Sequence, residues 1–264
     1  MTGNQAINTA IDAARAEGRP ALVAFLTGGY PTREGFLDNL AKLTSEADIV
    51  EIGVPFTDPM ADGMTIQNSS SAALAQGVTL NWILEQVGSR QWDAPVLLMS
   101  YLNPLLSLGD NLAKRCAAAN VAGIICPDLP LDECDLLRVP LAAAGVTFIQ
   151  LVTPVTAPER IEAICKVASG FIYAVTVTGT TGGARSGGPA GDAAPVTGAV
   201  IDYLKTIKQH ATVPVCVGFG IRSPEQVKEL GAHADGVIVG SALVEELTAG
   251  RDPAAFVRYL KGGK

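Results

Sequence analysis

Residues 47–67 read ADIVEIGVPFTDPMADGMTIQ. The first nine, Ala47 to Pro55, form a short apolar run closed by proline, as a buried strand does, and a loop punctuated by proline and glycine follows. The same unit recurs along the chain. Candidate strands begin near Ala21, Ala47, Pro95, Gly123, Thr147, Gly170, Pro214 and Gly236, with amphipathic stretches between them, for example over 34–43, 132–142 and 223–230. Ser223, Pro224 and Glu225 supply an N-cap, a first-turn proline and an acidic residue, so the last of these opens like a helix. Strand and helix alternating in this way require parallel pairing through right-handed crossovers. Eight units in 264 residues favour a closed (β/α)8 TIM barrel over an open sheet. No linker divides the chain, so 1–264 reads as one barrel domain. An extra amphipathic helix over about 4–17 is placed to cover the barrel's bottom, and SerAlaLeuValGluGluLeu (241–247) predicts a short extra helix after strand eight.

Composition narrows the function. The chain is 48% hydrophobic and 17% charged with a net charge of -7, which disfavours a nucleic-acid surface or a polybasic membrane patch and favours a small-molecule ligand. Met1 is followed by polar residues, not by a charged and then apolar leader, and apolar runs fall far short of the ~20 residues of a membrane span. A cytoplasmic location is expected. The cysteines at 116, 126, 134, 165 and 216 form no CxxC pair and read as core thiols. His210 and His233 lie outside the predicted strand ends, and no candidate strand carries a lysine. Neither a histidine base, a multi-histidine metal site nor a Schiff-base lysine is indicated.

Carboxylates are left as the chief acid-base groups, with Tyr101 and Tyr173 in reserve. Glu51 lies inside the apolar strand and Asp62 in the loop after it, eleven positions on. Burial raises a carboxyl pKa toward the range that proton transfer near neutrality needs, and two acids in different settings can hold different protonation states. Chemistry in a barrel belongs to the loops after the strands. Three of these loops, 179–188, GlyPheGlyIle (218–221) and GlySerAla (240–242), offer close-approaching backbone N–H groups of the kind that hold a phosphate, the last at a helix N-terminus.

Taken together, GluIleGlyValProPheThrAspProMetAlaAspGly with ThrIleGln after it, ProAspLeuPro (127–130), ThrGlyThrThrGly (178–182) and GlyPheGlyIle resemble the tryptophan synthase alpha chain family through nearly the whole length. The resemblance implies a lyase that cleaves indole-3-glycerol phosphate to indole and glyceraldehyde 3-phosphate in tryptophan biosynthesis. It implies no cofactor in this chain, with pyridoxal phosphate on a beta subunit partner in an alpha2beta2 heterotetramer. Carried over, Glu51 delivers a proton to indole C3, and Asp62 accepts a hydrogen bond from the indole N–H. Indole contacts fall at Phe25, Tyr101, Leu102, Tyr173 and Phe219, phosphate contacts at Gly182, Gly220, Gly240 and Ser241, and Thr181 on the lid loop. Asp58 and Pro59 fall in the segment used for the beta subunit. Two features depart from the family's pattern: Met64 stands where many members have proline, and 185–198 is longer and richer in Gly and Ala than the lid expected there. A stand-alone lyase releasing free indole, a non-catalytic regulatory barrel and another phosphate-binding barrel enzyme such as a sugar-phosphate isomerase are the alternatives.

Overall fold

A computed structural model describes residues 1–176 and 196–263. Its eight strands close into one all-parallel barrel in chain order. They are β1 Ala21–Thr27, β2 Ile49–Gly53, β3 Val96–Met99, β4 Val121–Ile125, β5 Thr147–Val152, β6 Ile172–Val175, β7 Val215–Gly218 and β8 Gly236–Val239. Each expected start lies within two residues of the observed one. Around them run α1 Gly3–Ala16, α2 Phe36–Glu46, α3 Met64–Ala75, α4 Leu80–Val87, α5 Leu102–Leu106 and α6 Leu112–Ala118. These are followed by α7 Asp135–Ala143, α8 Pro158–Val167, α9 Gly198–His210, α10 Pro224–Gly231, α11 Ser241–Thr248 and α12 Pro253–Leu260. The expected helix over 132–142 resolves into a 3-10 turn, Leu131–Glu133, and then α7.

The strands are apolar on both faces because both faces are buried. In β1, Leu22, Ala24 and Leu26 pack outward with the helix layer, while Ala21 and Val23 join Ile49, Leu97, Ile125, Ile149 and Ile238 inside the barrel. Helix α1 seals the lower end of that interior with Ile7, Ile11 and Ala14, all fully buried. Its start is fixed by a reciprocal cap between Thr2 and Gln5. Gly3 is required there, since a Cβ would lie 1.8 Å from the Ala122 carbonyl oxygen.

Ionic stakes hold the lower rim. The Asp48 carboxylate accepts from Leu22 N at 2.7 Å, from both terminal nitrogens of Arg19 at 2.6 and 2.8 Å, and from Lys261 at 3.0 Å. Burial alone would raise the Asp48 pKa, but these donors together hold it below the usual carboxylate value. Asp235 does the same for β7, accepting from Val215 N at 2.9 Å and from Lys208 at 2.9 Å. Strand β2 begins at Ile49 and not at Ala47 because Ala47 is the C-cap of α2, its N–H donating to the Leu43 carbonyl at 2.8 Å.

Candidate active site

Alternation along β2 decides where Glu51 points. Ile49 belongs to the interior cluster, so Glu51, two residues on, faces the same interior. It stands in register between Phe25 of β1 and Leu97 of β3. The carboxyl group is 1% exposed, and neither oxygen has a hydrogen-bond partner among the described residues. Burial, helped by the nearby charge of Asp62, pushes its pKa up to about 8, so the group is mostly protonated at neutrality. The Tyr173 phenol is held well above its ordinary value by burial and then by Glu51 and Asp62. It keeps its proton and lines the same cavity as both acids.

Asp62 sits in the loop between β2 and α3, and this loop is tied down along its length. Phe56 N donates to Ser70 Oγ at 2.9 Å, and the same hydroxyl donates back to the Phe56 carbonyl at 3.1 Å. The Phe56 ring stacks on Tyr101 with centroids 5.1 Å apart. Tyr101 Oη accepts from Ala61 N at 2.9 Å and donates to Asp62 Oδ2 at 3.1 Å, while Gln67 Nε2 donates to the Asp62 carbonyl at 2.8 Å. Burial raises the Asp62 pKa to about 6 against the lowering effect of the Tyr101 hydroxyl. Near pH 7, one acid therefore holds its proton while the other is mainly ionised.

Both acids open onto a cavity of about 440 Å³ at the C-terminal end of the barrel, within the size range of small-molecule sites. Its walls are mainly apolar, with Phe25, Ile66, Met99, Leu151, Phe219 and Ile238 among them. Two strand-end glycines make room for the aromatic groups. A Cβ at Gly53 would come 2.5 Å from the Phe25 ring, and one at Gly218 would come 3.1 Å from the Tyr173 ring. On the rim, Gly220 has φ +69° with nothing within 4 Å of a Cβ, and a Cβ at Gly240 would meet only Phe25 at 4.0 Å. Helix α11 starts at Ser241 with no side-chain cap, so its first N–H groups are available to an anion. A larger groove, about 1160 Å³, opens at the opposite end of the barrel between Arg15, Lys208, Lys228 and Lys261. There helix C-termini converge, their dipoles favour those cations, and Asp48 and Asp235 already bind several of them. The upper cavity is the candidate chemical site because it holds both acids whose pKa burial raises toward neutrality, whereas Asp235 in the lower groove is held below its usual value by its donors.

Of the residues singled out from sequence, Glu51, Asp62, Phe25, Tyr173, Phe219, Gly220, Gly240 and Ser241 line this one cavity. Tyr101 stands behind Asp62 and holds it, whereas Leu102 is not on the cavity wall; its N–H donates to Asp128 Oδ1 at 2.8 Å. Thr181, Gly182 and 185–195 lie outside the described residues. All five cysteines are buried and free, and no cluster of potential metal ligands occurs among the described residues. Met99, Leu151 and Ile238 were missed from sequence. Parity could have found them, since each is an inward position near the upper end of its strand. Ile66 follows Asp62 by one helical turn, which is a weaker signal.

Comparison with known proteins gives the family of the chain and agrees with the barrel fold. A family model described as tryptophan synthase alpha chain matches residues 11–260. The alpha chain of Nitratidesulfovibrio vulgaris strain DP4 is 46% identical over 249 residues, covering 93% of each chain. That of Deinococcus radiodurans is 40% identical over 265 residues, 99% of this chain and 95% of the relative. Among solved structures, Mycobacterium tuberculosis tryptophan synthase superposes with a TM-score of 0.87 at 35% identity, covering 97% of both chains. The Legionella pneumophila alpha chain gives 0.84 at 29% identity, covering 99% of this chain and 97% of that one.

Proposed function

The chain belongs to the tryptophan synthase alpha chain family, and we propose that Glu51 and Asp62 carry its lyase reaction, the cleavage of indole-3-glycerol phosphate to indole and glyceraldehyde 3-phosphate. The observation that supports this reading is the split between two acids on one cavity, Glu51 at about 8 and Asp62 at about 6. Protonated Glu51 gives its proton to indole C3, and the positive charge that develops on the ring nitrogen is stabilised by ionised Asp62 accepting from its N–H. Glu51, now ionised, takes the proton of the glycerol hydroxyl beside the scissile bond. The carbonyl forms, the carbon–carbon bond breaks, and its electron pair neutralises the indole ring. The acid is regenerated and no outside reductant or oxidant is needed. Tyr173 donates within the site, and Phe25, Leu151 and Phe219 supply flat apolar walls for the indole. Gly220, Gly240 and Ser241 receive the phosphate, joined by Thr181 and Gly182.

The proposal extends to the assembly. The whole chain acts as one barrel domain in the cytoplasm, bound to a beta subunit in an alpha2beta2 enzyme, with pyridoxal phosphate held by that partner. A second reading is a stand-alone lyase, and a specific observation favours it: the Asp62 loop is already secured by Tyr101, Ser70 and Gln67 of the same chain. Adding indole-3-glycerol phosphate to the purified chain, alone and with a beta subunit, and following indole and aldehyde separates the two. Glu51→Gln and Asp62→Asn are expected to fold and to lose about two orders of magnitude in cleavage. Turnover near wild type in folded Glu51→Gln protein would remove that residue from the mechanism.

A further inference from the structure

Behind the phosphate-receiving turns lies an ion pair that the reaction itself does not use. Arg222 Nη1 donates to Glu245 Oε2 at 2.7 Å and Nη2 to Oε1 at 2.8 Å, a bidentate pair with fixed geometry. Arg222 is two residues past Gly220, and its own N–H donates to Gln226 Oε1 of α10 at 2.8 Å, which fixes that turn from the other side. Glu245 is four residues past Ser241 in α11, one helical turn below the uncapped end. The pair thus joins the Gly220 turn to the Gly240–Ser241 turn without either side chain lining the cavity. Helix α11 also packs on α3, and Glu245 is held below the usual carboxylate range chiefly by Arg222, with Thr65 contributing a further hydrogen bond. Thr65 is the second residue of α3 and follows Asp62 by three positions.

We propose that Arg222 and Glu245 are positioning residues that hold the two halves of the phosphate cradle at a fixed separation, so that the substrate's phosphate binds with its indole end aligned on the acids. The inference rests on the phosphate site proposed above. The side chains are 26% and 39% exposed, a setting in which an ion pair adds little to stability, so a purely structural role predicts almost no effect of removing it. A positioning role predicts a loss of binding instead, because small displacements of a binding group are costly.

The test uses the full-length chain with its beta subunit. Arg222→Ala and Glu245→Ala should each raise the KM for indole-3-glycerol phosphate roughly tenfold while changing kcat far less. Inhibition by inorganic phosphate and by glycerol 3-phosphate should weaken by a similar factor, and binding of free indole should not change. The double variant should be no worse than the poorer single one, and the exchanged pair Arg222→Glu/Glu245→Arg should recover much of the loss. Arg222→Lys, which keeps the charge but not the fork, should fall between. Phosphate that fails to compete with substrate in the wild-type protein overturns the phosphate site and this inference with it. Competition that the variants leave unchanged, or single effects that add, overturns the inference alone.

Discussion

At the scale of single residues, the separation of two carboxyl pKa values has two measurable consequences. The proposed mechanism needs Glu51 protonated and Asp62 ionised, so kcat/KM should follow a bell with limbs near pH 6 and pH 8, apparent values that belong to the coupled pair. Because the Tyr101 hydroxyl lowers the Asp62 pKa, Tyr101→Phe should move the acid limb upward; an unmoved limb would dissociate that hydrogen bond from catalysis. Stability provides the other readout. The folded pKa of Glu51 is raised from 4.5 to about 8, so its contribution to stability is fully present below about 4.5 and is lost as pH rises through about 8. At about 1.36 kcal/mol per unit, the wild-type fold gives up on the order of 3 kcal/mol by neutral pH relative to a side chain that cannot ionise. Denaturant unfolding of Glu51→Gln against wild type should show a difference that grows from pH 4 to pH 8 in favour of the variant. A difference independent of pH would mean that Glu51 is not held neutral by the fold.

At the scale of elements, the α3 terminus controls where Asp62 is held. Gly63 is the N-cap with φ -78° and ψ 166°, a conformation that suits the residue before proline, and Met64 is the first helical residue, 51% exposed. Met64, which stands where many family members have proline, therefore occupies a position where proline and methionine are both accommodated. The loop's order comes from Tyr101, Ser70 and Gln67 instead. Met64→Pro should raise stability by about 0.4–1 kcal/mol through the unfolded chain and leave kcat close to wild type. Thermal unfolding with parallel assays checks this, and a destabilised variant would show that the Met64 side chain or N–H has a role in the folded state.

At the scale of the whole molecule, the cavity mouth presents large apolar side chains to solvent, Met60 at 73% and Val155 at 78% exposed, and both line the site. Exposed apolar groups on the rim of a catalytic cavity suit a partner that covers them. With a beta subunit bound, turnover should rise by about tenfold or more over the isolated chain. Asp58→Ala should diminish that activation more than the basal rate, because the Asp58 side chain is exposed and its carboxylate accepts only from Thr57, at 2.6 Å, among the described residues. Equal rates with and without the partner would favour the stand-alone lyase.

The barrel was legible in the sequence because its signal is local and repeated: an apolar run, a turn, an amphipathic stretch, eight times over, with each strand start within two residues of the reading. Glu51 stood out in the sequence for the same kind of reason, since a carboxylate inside an apolar strand is costly wherever that strand packs, and Asp62 stood out by its place in the loop that follows. What the sequence left open depends on contacts between segments far apart in the chain. Leu102 reads as apolar and suited to an indole, yet its side chain stays off the cavity wall, because β-strand register and the start of α5 decide which way a residue faces. Tyr101 reads equally well as a ligand contact or an acid-base group, and only the folded chain brings its hydroxyl onto Asp62, 39 residues away in sequence. Met99, Leu151 and Ile238 look like any core residues until barrel closure sets them on one wall. Local pattern fixes which elements form and which residues are costly to bury; closure of the barrel decides which of them meet, because burial, and with it each carboxyl's protonation state, is a property of the packed neighbourhood.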